Sequence, residues 1–168
     1  MITVNVTDNE LRRRLDKLAE QMEDYLVVFG IDGTLCRFKY TGEDSLLPCN
    51  NEDLSKYLSY ASNMYAYAEP IKSMQYLVNK LDPSKVMTLS TAVPMAVLLK
   101  IDWLEKYYPN ILPSNTLWTK YDEDKLKVLQ KLSKDNKVLF IDDSYKTLLF
   151  IEENDKSIKL MHTSMFIL

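Results

Sequence analysis

Short apolar runs alternate with longer amphipathic segments along the chain. Runs of the first kind, typical of buried strands, lie at residues 25–29, 85–90, 115–119, 137–142 and 157–161. Apolar residues recur at helical spacing in segments 8–22, 70–81, 94–108, 122–133 and 145–153. Strands separated by helices indicate βαβ units. The pattern therefore predicts an α/β fold with a mainly parallel sheet, right-handed crossovers and helices on both faces.

Capping residues and prolines suggest where the helices begin. Thr7 is the predicted N-cap of the first helix, because Glu10 three residues later completes a capping box. Pro70 is expected to open the helix of segment 70–81. Asp122 or a neighbour is expected to cap the helix that runs to about Ser133.

The length of the chain bounds its domain organisation. The 168 residues, of which 46% are hydrophobic, suit one domain with a single sizeable core. Residues 36–68 depart from the regular pattern, with turn formers, aromatic residues and one helical segment. We therefore expect a single domain over residues 1–168, with a flap and small cap inserted at 36–68.

Charge and cysteine content exclude several classes of protein. The formal net charge of -3, from 21 basic and 24 acidic residues, gives no general attraction for polymeric nucleic acid or an anionic membrane. No apolar run approaches the roughly 20 residues of a membrane helix, and the N-terminus lacks a secretory signal. Cys36 and Cys49 fit free thiols. We expect a cytoplasmic protein, and the sequence leaves its oligomeric state open.

Polar residues follow three of the predicted strands. They are Asp32-Gly33-Thr34, Ser90-Thr91 and Asp142-Asp143. Taken singly, each group is as typical of a strand end or a helix cap as of a site. Because parallel strands finish at the same edge of a sheet, we expect the three groups to meet there.

This ordered set resembles the haloacid dehalogenase (HAD) superfamily of magnesium-dependent phosphotransferases. The first motif of that superfamily is an apolar strand followed by Asp-x-Asp-Gly-Thr, and residues 30–34 here are Gly-Ile-Asp-Gly-Thr. Residues 86–108 are similar to the 5'(3')-deoxyribonucleotidases, in which a Thr-Ser pair precedes a helix ending Lys-x-x-Trp-Val-Glu-Lys-Tyr. The matching residues are Lys100, Trp103, Glu105, Lys106 and Tyr107. The resemblance covers about residues 25–162 and implies a HAD-like (Rossmannoid) three-layer fold with a small helical lid.

The resemblance also implies roles for the residues at the first two strand ends. Asp32 would be the general acid and base, and its backbone carbonyl would face Mg²⁺. Ser90 would hold a phosphoryl oxygen, with Thr91 as the alternative. Lys125, in a counterpart of the family's Asp-Lys pair, would place a positive charge beside the phosphate, and Lys120 is its alternative.

The third strand end completes the site that the resemblance implies. Asp142 and Asp143 would supply hard oxygen ligands to Mg²⁺, together with Asp32. The expected ligand is a small phosphorylated molecule, possibly a nucleoside monophosphate. Tyrosines in and after the cap could stack on a base or simply pack, namely Tyr57, Tyr60, Tyr65 and Tyr67. His162 is expected to pack or cap rather than to catalyse, and Cys36 has no evident activating partner.

Gly30 stands where the family has its nucleophilic aspartate, which also binds the metal. Loss of a nucleophile lowers the rate on the order of a millionfold in worked cases, so aspartyl-phosphate turnover should be absent or strongly impaired. Three accounts follow. The protein is a pseudophosphatase that works by binding, or a phosphatase in which Gly30 is an accidental or engineered change. In the third account, the missing side chain leaves room for a water that Asp32 activates.

Overall fold

A five-stranded parallel sheet is the largest element of the computed structural model, which describes residues 2–38 and 64–166. The strands in chain order are β1 (Leu26–Phe29), β2 (Cys36–Phe38), β3 (Ala68–Pro70), β4 (Val86–Thr91), β5 (Thr116–Thr119), β6 (Val138–Asp142) and β7 (Lys159–His162). The sheet order is β5-β4-β1-β6-β7, and all its pairs are parallel. β2 and β3 form a separate antiparallel pair. The five predicted strands and their parallel pairing are confirmed.

Helices follow the predicted alternation with strands. They are α1 (Asn9–Gln21), α2 (Lys72–Lys80), α3 (Pro94–Tyr107), α4 (Asp124–Leu132) and α5 (Tyr145–Asn154). Each coincides with a segment of helical spacing in the sequence. None of the helices in the described ranges is both long and apolar enough to cross a lipid bilayer.

Two of the predicted helix starts are wrong, and the third is confirmed in its alternative form. Asp8, not Thr7, is the N-cap of α1, since its carboxylate accepts a hydrogen bond from the Leu11 amide at 2.9 Å. Pro70 ends β3, and α2 begins two residues later. At the start of α4 the predicted neighbour, Glu123, is the N-cap, without a side-chain hydrogen bond, and the Asp122 carboxylate instead accepts from the Thr91 hydroxyl at 2.7 Å.

Side chains alternate between the two faces of the sheet, as the pleat requires, and build two hydrophobic clusters. Val27 and Phe29 of β1 belong to the first cluster, whereas Val28 belongs to the second. The first cluster includes buried residues of α1, α2 and α3, and the second includes residues of α4 and α5. The architecture is therefore an α/β sheet flanked by helices on both faces.

The cap expected within residues 36–68 lies mostly outside the described residues. Of that segment, the structure describes β2, a 3₁₀ turn at Met64–Tyr67 and the start of β3. The predicted helical segment around Leu54, with Tyr57 and Tyr60, falls in residues 39–63, outside the described ranges. Cys49 lies there as well.

Candidate functional site

The strand order reverses at β1, and this reversal brings the carboxyl ends of β1, β4 and β6 side by side. From β1 the chain adds β4 and β5 on one side, and then crosses to place β6 and β7 on the other. In open α/β sheets, ligands bind at such a reversal of strand order. Gly30 lies at this point, directly after β1, and its amide donates to the Ile141 carbonyl of β6 at 2.9 Å.

The loop after β1 coils around one backbone carbonyl. The amides of Thr34, Leu35 and Cys36 all donate to the Ile31 carbonyl, at 3.1, 2.9 and 3.1 Å. Gly33 has a φ of 74°, and a Cβ there would collide with the Asp143 carboxyl group. Glycine at position 33 is therefore required both by the left-handed backbone and by the close approach of β6.

Lys100 of α3 joins the first two strand ends. Its Nζ atom donates to the Asp32 carboxylate at 2.7 Å and to the Ser90 hydroxyl at 2.8 Å, and it also contacts the Thr91 carbonyl at 3.0 Å. The side chain is only 1% exposed. A buried ammonium requires such partners, since removing it from water without them is costly.

Both carboxylate oxygens of Asp32 have partners. Oδ2 accepts from Lys100, and Oδ1 accepts from the buried Tyr65 hydroxyl at 2.6 Å. Tyr65 therefore contacts the predicted acid and base, and its ring also packs edge-on against Phe38. Tyr67, by contrast, is largely exposed.

Lys125 of α4 contacts the third strand end. Its Nζ lies 3.0 Å from Oδ2 of Asp142 and 3.5 Å from Oδ1 of Asp122. Desolvation acts to lower the pKa of Lys125, but the carboxylates of Asp142 and Asp122 outweigh it and the pKa is raised overall. Lys120, its alternative, instead lies over the Tyr121 ring at 5.1 Å. The structure thus brings Lys125 into the cluster.

Asp142 and Asp143 form a carboxyl pair at the end of β6. Asp142 is buried, and its Oδ1 accepts from the Ser144 amide at 2.9 Å. Desolvation, the Asp142 charge and a hydrogen bond to Asp142 raise the pKa of Asp143 to about 7. Neither residue caps α5, because Ser144 does so by accepting from the Thr147 amide.

Of the residues predicted to bind Mg²⁺, Asp142 and Asp143 would do so through their carboxylates and Asp32 through its backbone carbonyl. Among the described residues, no three or more His, Cys, Asp or Glu side chains are grouped so that they could hold a metal ion. The Asp32 carboxylate is instead held by Lys100 and Tyr65. What remains is the two-carboxylate set of Asp142 and Asp143.

The space beside Gly30 is occupied, which corrects the expectation of room left by a missing side chain. A Cβ at this position would lie 2.9 Å from Oδ2 of Asp142 and 3.0 Å from Oγ1 of Thr34. The Thr34 hydroxyl is fully buried and has no hydrogen-bond partner among the residues that the structure describes. Two polar side chains thus enclose position 30.

The predicted convergence of the three strand ends is present. Lys100 bridges the loop after β1 to β4, while Asp142 and Asp143 lie against Gly30 and Gly33. The cluster contains more carboxylates than ammonium groups, namely Asp32, Asp122, Asp142 and Asp143 against Lys100 and Lys125.

His162 and Cys36, for which no catalytic role is predicted, both lie close to the cluster. The Ser164 amide donates to Nδ1 of His162 at 3.2 Å, so Nε2 carries the hydrogen toward the Asp143 carbonyl at 2.9 Å. Cys36 is a buried free thiol, and desolvation followed by the Asp32 charge raises its pKa well above the usual value.

Lys100 is the residue whose role the sequence did not assign. It matched the nucleotidase-like pattern, but no function was inferred for it. The available signal is its helical register, because it falls on the same face of α3 as the buried residues Ala96, Trp103 and Leu104. A lysine on the core face of a helix indicates a buried ion pair.

Comparisons with known proteins do not identify the family of this chain. No protein-family model matches the chain, and neither curated proteins nor solved structures give a match.

Proposed function

We propose that the chain is a HAD-type, magnesium-dependent phosphatase scaffold that binds a small phosphomonoester, as a 5'-nucleotidase does, but has no effective hydrolysis. The observation that carries this proposal is Gly30 at the reversal of strand order, enclosed by Asp142 and Thr34. The other polar groups of the site are assembled around it. By the resemblance, Gly30 lacks both the nucleophile and a metal ligand.

The residues of the cluster suit phosphate binding without covalent chemistry. Phosphoryl transfer requires mainly positioning and neutralisation of oxygen charge, and an aspartate nucleophile divides it into two steps. Glycine has no side chain that could form the intermediate. Ser90 and Lys125 would bind phosphate oxygens, through a hydroxyl donor and a point charge respectively.

Mg²⁺ fits the Asp142 and Asp143 pair. Desolvation, and then the charge of Asp142, raise the pKa of Asp143, and a divalent cation would favour the charged form of both carboxylates. Mg²⁺ commonly takes one or two protein carboxylates and keeps several waters. The ion would supply positive charge to the phosphate oxygens, which the net negative cluster lacks.

One observation favours the alternative, a phosphate- or nucleotide-binding regulatory protein that is not an enzyme. Both oxygens of Asp32 accept short hydrogen bonds, from Tyr65 and Lys100. A one-step route, in which Asp32 activates a water in the place of the missing side chain, would need open space beside Gly30. A Cβ there would already lie 2.9 Å from Asp142 and 3.0 Å from Thr34.

The test measures phosphate release and ligand binding together. We expect the chain to release no phosphate from nucleoside monophosphates in Mg²⁺ above background. Nucleotide or phosphate at about 100 times its Kd should still stabilise the native state by about 2.7 kcal/mol. For a chain of this size, that raises Tm by roughly 5 to 10 °C.

Variants separate the two functions. Gly30→Asp adds the carboxylate that the resemblance implies, but it must displace Asp142 and Thr34, so circular dichroism first establishes that the variant is folded. Phosphate release should then appear only in the aspartate form. Release by the glycine form at the rate of the folded aspartate form would show that the proposed site is wrong. An unchanged Tm with every phosphorylated ligand would instead favour a structural subunit.

A further inference from the structure

Lys100 is the most deeply buried cation among the described residues. It lies at the middle of α3, on the face that also buries Trp103 and Leu104. Its only charged hydrogen-bond partner in the described ranges is Asp32. A charge in this position needs a purpose beyond packing, because an apolar side chain of similar volume is often at least as stabilising there.

The three hydrogens of the Lys100 ammonium are all used. They point to Asp32 Oδ2, Ser90 Oγ and the Thr91 carbonyl, at 2.7, 2.8 and 3.0 Å. An ammonium has three donors and no acceptor. Lys100 therefore has no hydrogen left for a ligand and acts only on its neighbours.

The contact with Lys100 fixes the direction of the Ser90 hydroxyl. Because the ammonium can only donate, the Ser90 oxygen must accept, and the Ser90 hydrogen must point elsewhere. Among the described residues, its acceptor is the Thr91 carbonyl at 3.5 Å, which is longer than an ordinary O–H···O bond. Ser90 thus retains a hydrogen that a ligand could accept.

The Thr91 hydroxyl, unlike that of Ser90, already donates its hydrogen to a strong acceptor. Its hydroxyl donates to the Asp122 carboxylate at 2.7 Å, so its oxygen can only accept from the Thr119 hydroxyl at 3.1 Å. Of the two adjacent hydroxyls, Ser90 is therefore the one with a donor available at the sheet edge.

We propose that Lys100 is the positioning residue of this site, which holds the Asp32 carboxylate in place and makes Ser90 a hydrogen-bond donor to an oxyanion ligand. The proposal rests on the proposed function for the identity of the ligand, but not for the geometry of Lys100 and Ser90. It predicts that Ser90 and Lys100 act as one unit, although only Ser90 touches the ligand.

The first test needs no ligand and uses NMR of the lysine ammonium groups in ¹⁵N-labelled protein. We expect a slowly exchanging ammonium resonance that disappears in Lys100→Met. Ser90→Ala should speed its hydrogen exchange roughly tenfold, since one charge-assisted bond is lost. Thr91→Val is the matched control, because Lys100 contacts only the backbone of Thr91. A Lys100 resonance that Ser90→Ala leaves unchanged would overturn the proposal.

The second test is a double-mutant cycle on the binding of inorganic phosphate in Mg²⁺. Ser90→Ala should weaken binding about tenfold in the unmodified chain but have little further effect once Lys100 is replaced. Lys100→Met alone leaves Asp32 without its cation, so the cycle also uses Asp32→Asn with Lys100→Met, which removes both charges. Lys106→Met, at an exposed position of the same helix, is the control for the helix itself.

The outcomes distinguish the positioning role of Lys100 from the proposed function. Independent effects of the Ser90 and Lys100 substitutions on phosphate binding would overturn the positioning role while leaving the proposed function intact. If the unmodified chain does not bind phosphate with Mg²⁺, the proposed function fails. The ammonium exchange measurement then decides on its own whether Lys100 directs Ser90.

Discussion

The crowding beside Gly30 predicts the sign of a single substitution. Gly30 is not among the glycines with positive φ, so its backbone accepts an alanine. Gly30→Ala would still place its Cβ 2.9 Å from Asp142 and 3.0 Å from Thr34. We expect a loss of about 1 to 3 kcal/mol in the free energy of unfolding, measured by urea denaturation.

An open position would give the opposite result. Where space allows, alanine in place of glycine stabilises by roughly 0.4 to 1 kcal/mol through the unfolded state. A gain in stability for Gly30→Ala would therefore contradict the enclosed position described above. Gly33→Ala should be the more damaging of the two, because it combines a φ of 74° with a collision against Asp143.

The thiol of Cys36 should be unreactive in the folded protein. Desolvation and the nearby Asp32 charge raise its pKa well above the usual value, so the thiolate is scarce at pH 8, and the side chain is also buried. In a Cys49→Ser variant, which leaves Cys36 as the single cysteine, we expect slow labelling by a disulfide reagent in buffer. Full labelling in urea is the control. Rapid labelling of the native chain would show that Cys36 is accessible or activated.

At the residue scale, the sequence predicted which groups meet but not how they pair. Asp32, Ser90, Lys125 and Asp142 are found at one edge because each follows or faces a strand end, which local pattern reveals. The choice of partners depends on side chains far apart in the chain. Lys100, for example, contacts Asp32 across 68 positions.

Capping provides a test at the scale of single elements. Asp8 accepts from the Leu11 amide at the start of α1, whereas Thr7 is exposed outside the helix. Asp8→Ala should cost about 1 kcal/mol of stability, and Thr7→Ala should cost little. Thermal or urea denaturation of both variants decides the matter. A larger loss of stability for Thr7→Ala would instead support the predicted capping box of Thr7 and Glu10.

The elements themselves were predictable because burial on both faces leaves a strong signal. β6, for example, has five buried residues in a row, of which the first four are apolar and the last is Asp142. Helix starts were less predictable, since Thr7 and Asp8 are both good caps and only the backbone geometry chooses between them. Likewise, Pro70 is compatible with the end of a strand as well as the start of a helix.

For the whole molecule, sheet order is the feature that the local pattern leaves undetermined. Alternating strands and helices are compatible with several arrangements of parallel strands. The observed order places β1 between β4 and β6, and therefore brings Gly30 against Asp142, 112 positions later. The candidate site is a consequence of this topology. Because this topology buries Asp142 beside Asp143, the repulsion between the two carboxylates should lower the free energy of unfolding of the whole protein.

That cost predicts how global stability depends on pH without metal. The folded state raises the pKa of Asp143 from 3.8 to about 7, mainly by desolvation and by the Asp142 charge. Between those values, the folded protein holds a proton that the unfolded chain has released. The contribution of Asp143 to stability therefore falls as the pH rises from about 4 to 7, by at most about 4 kcal/mol. Urea denaturation in a chelating buffer at several pH values measures it.

Asp143→Asn isolates this contribution, because the amide does not titrate and the variant should lose that part of the decline above pH 4. If Asp142 and Asp143 hold Mg²⁺, the ion competes with the shared proton. Adding Mg²⁺ at pH 8 should then restore stability to the unmodified chain more than to the variant. A pH dependence identical in both proteins would show that the Asp143 carboxyl is not under strain from its neighbour. A Mg²⁺ response identical in both would instead remove the physical reason to place a cation there.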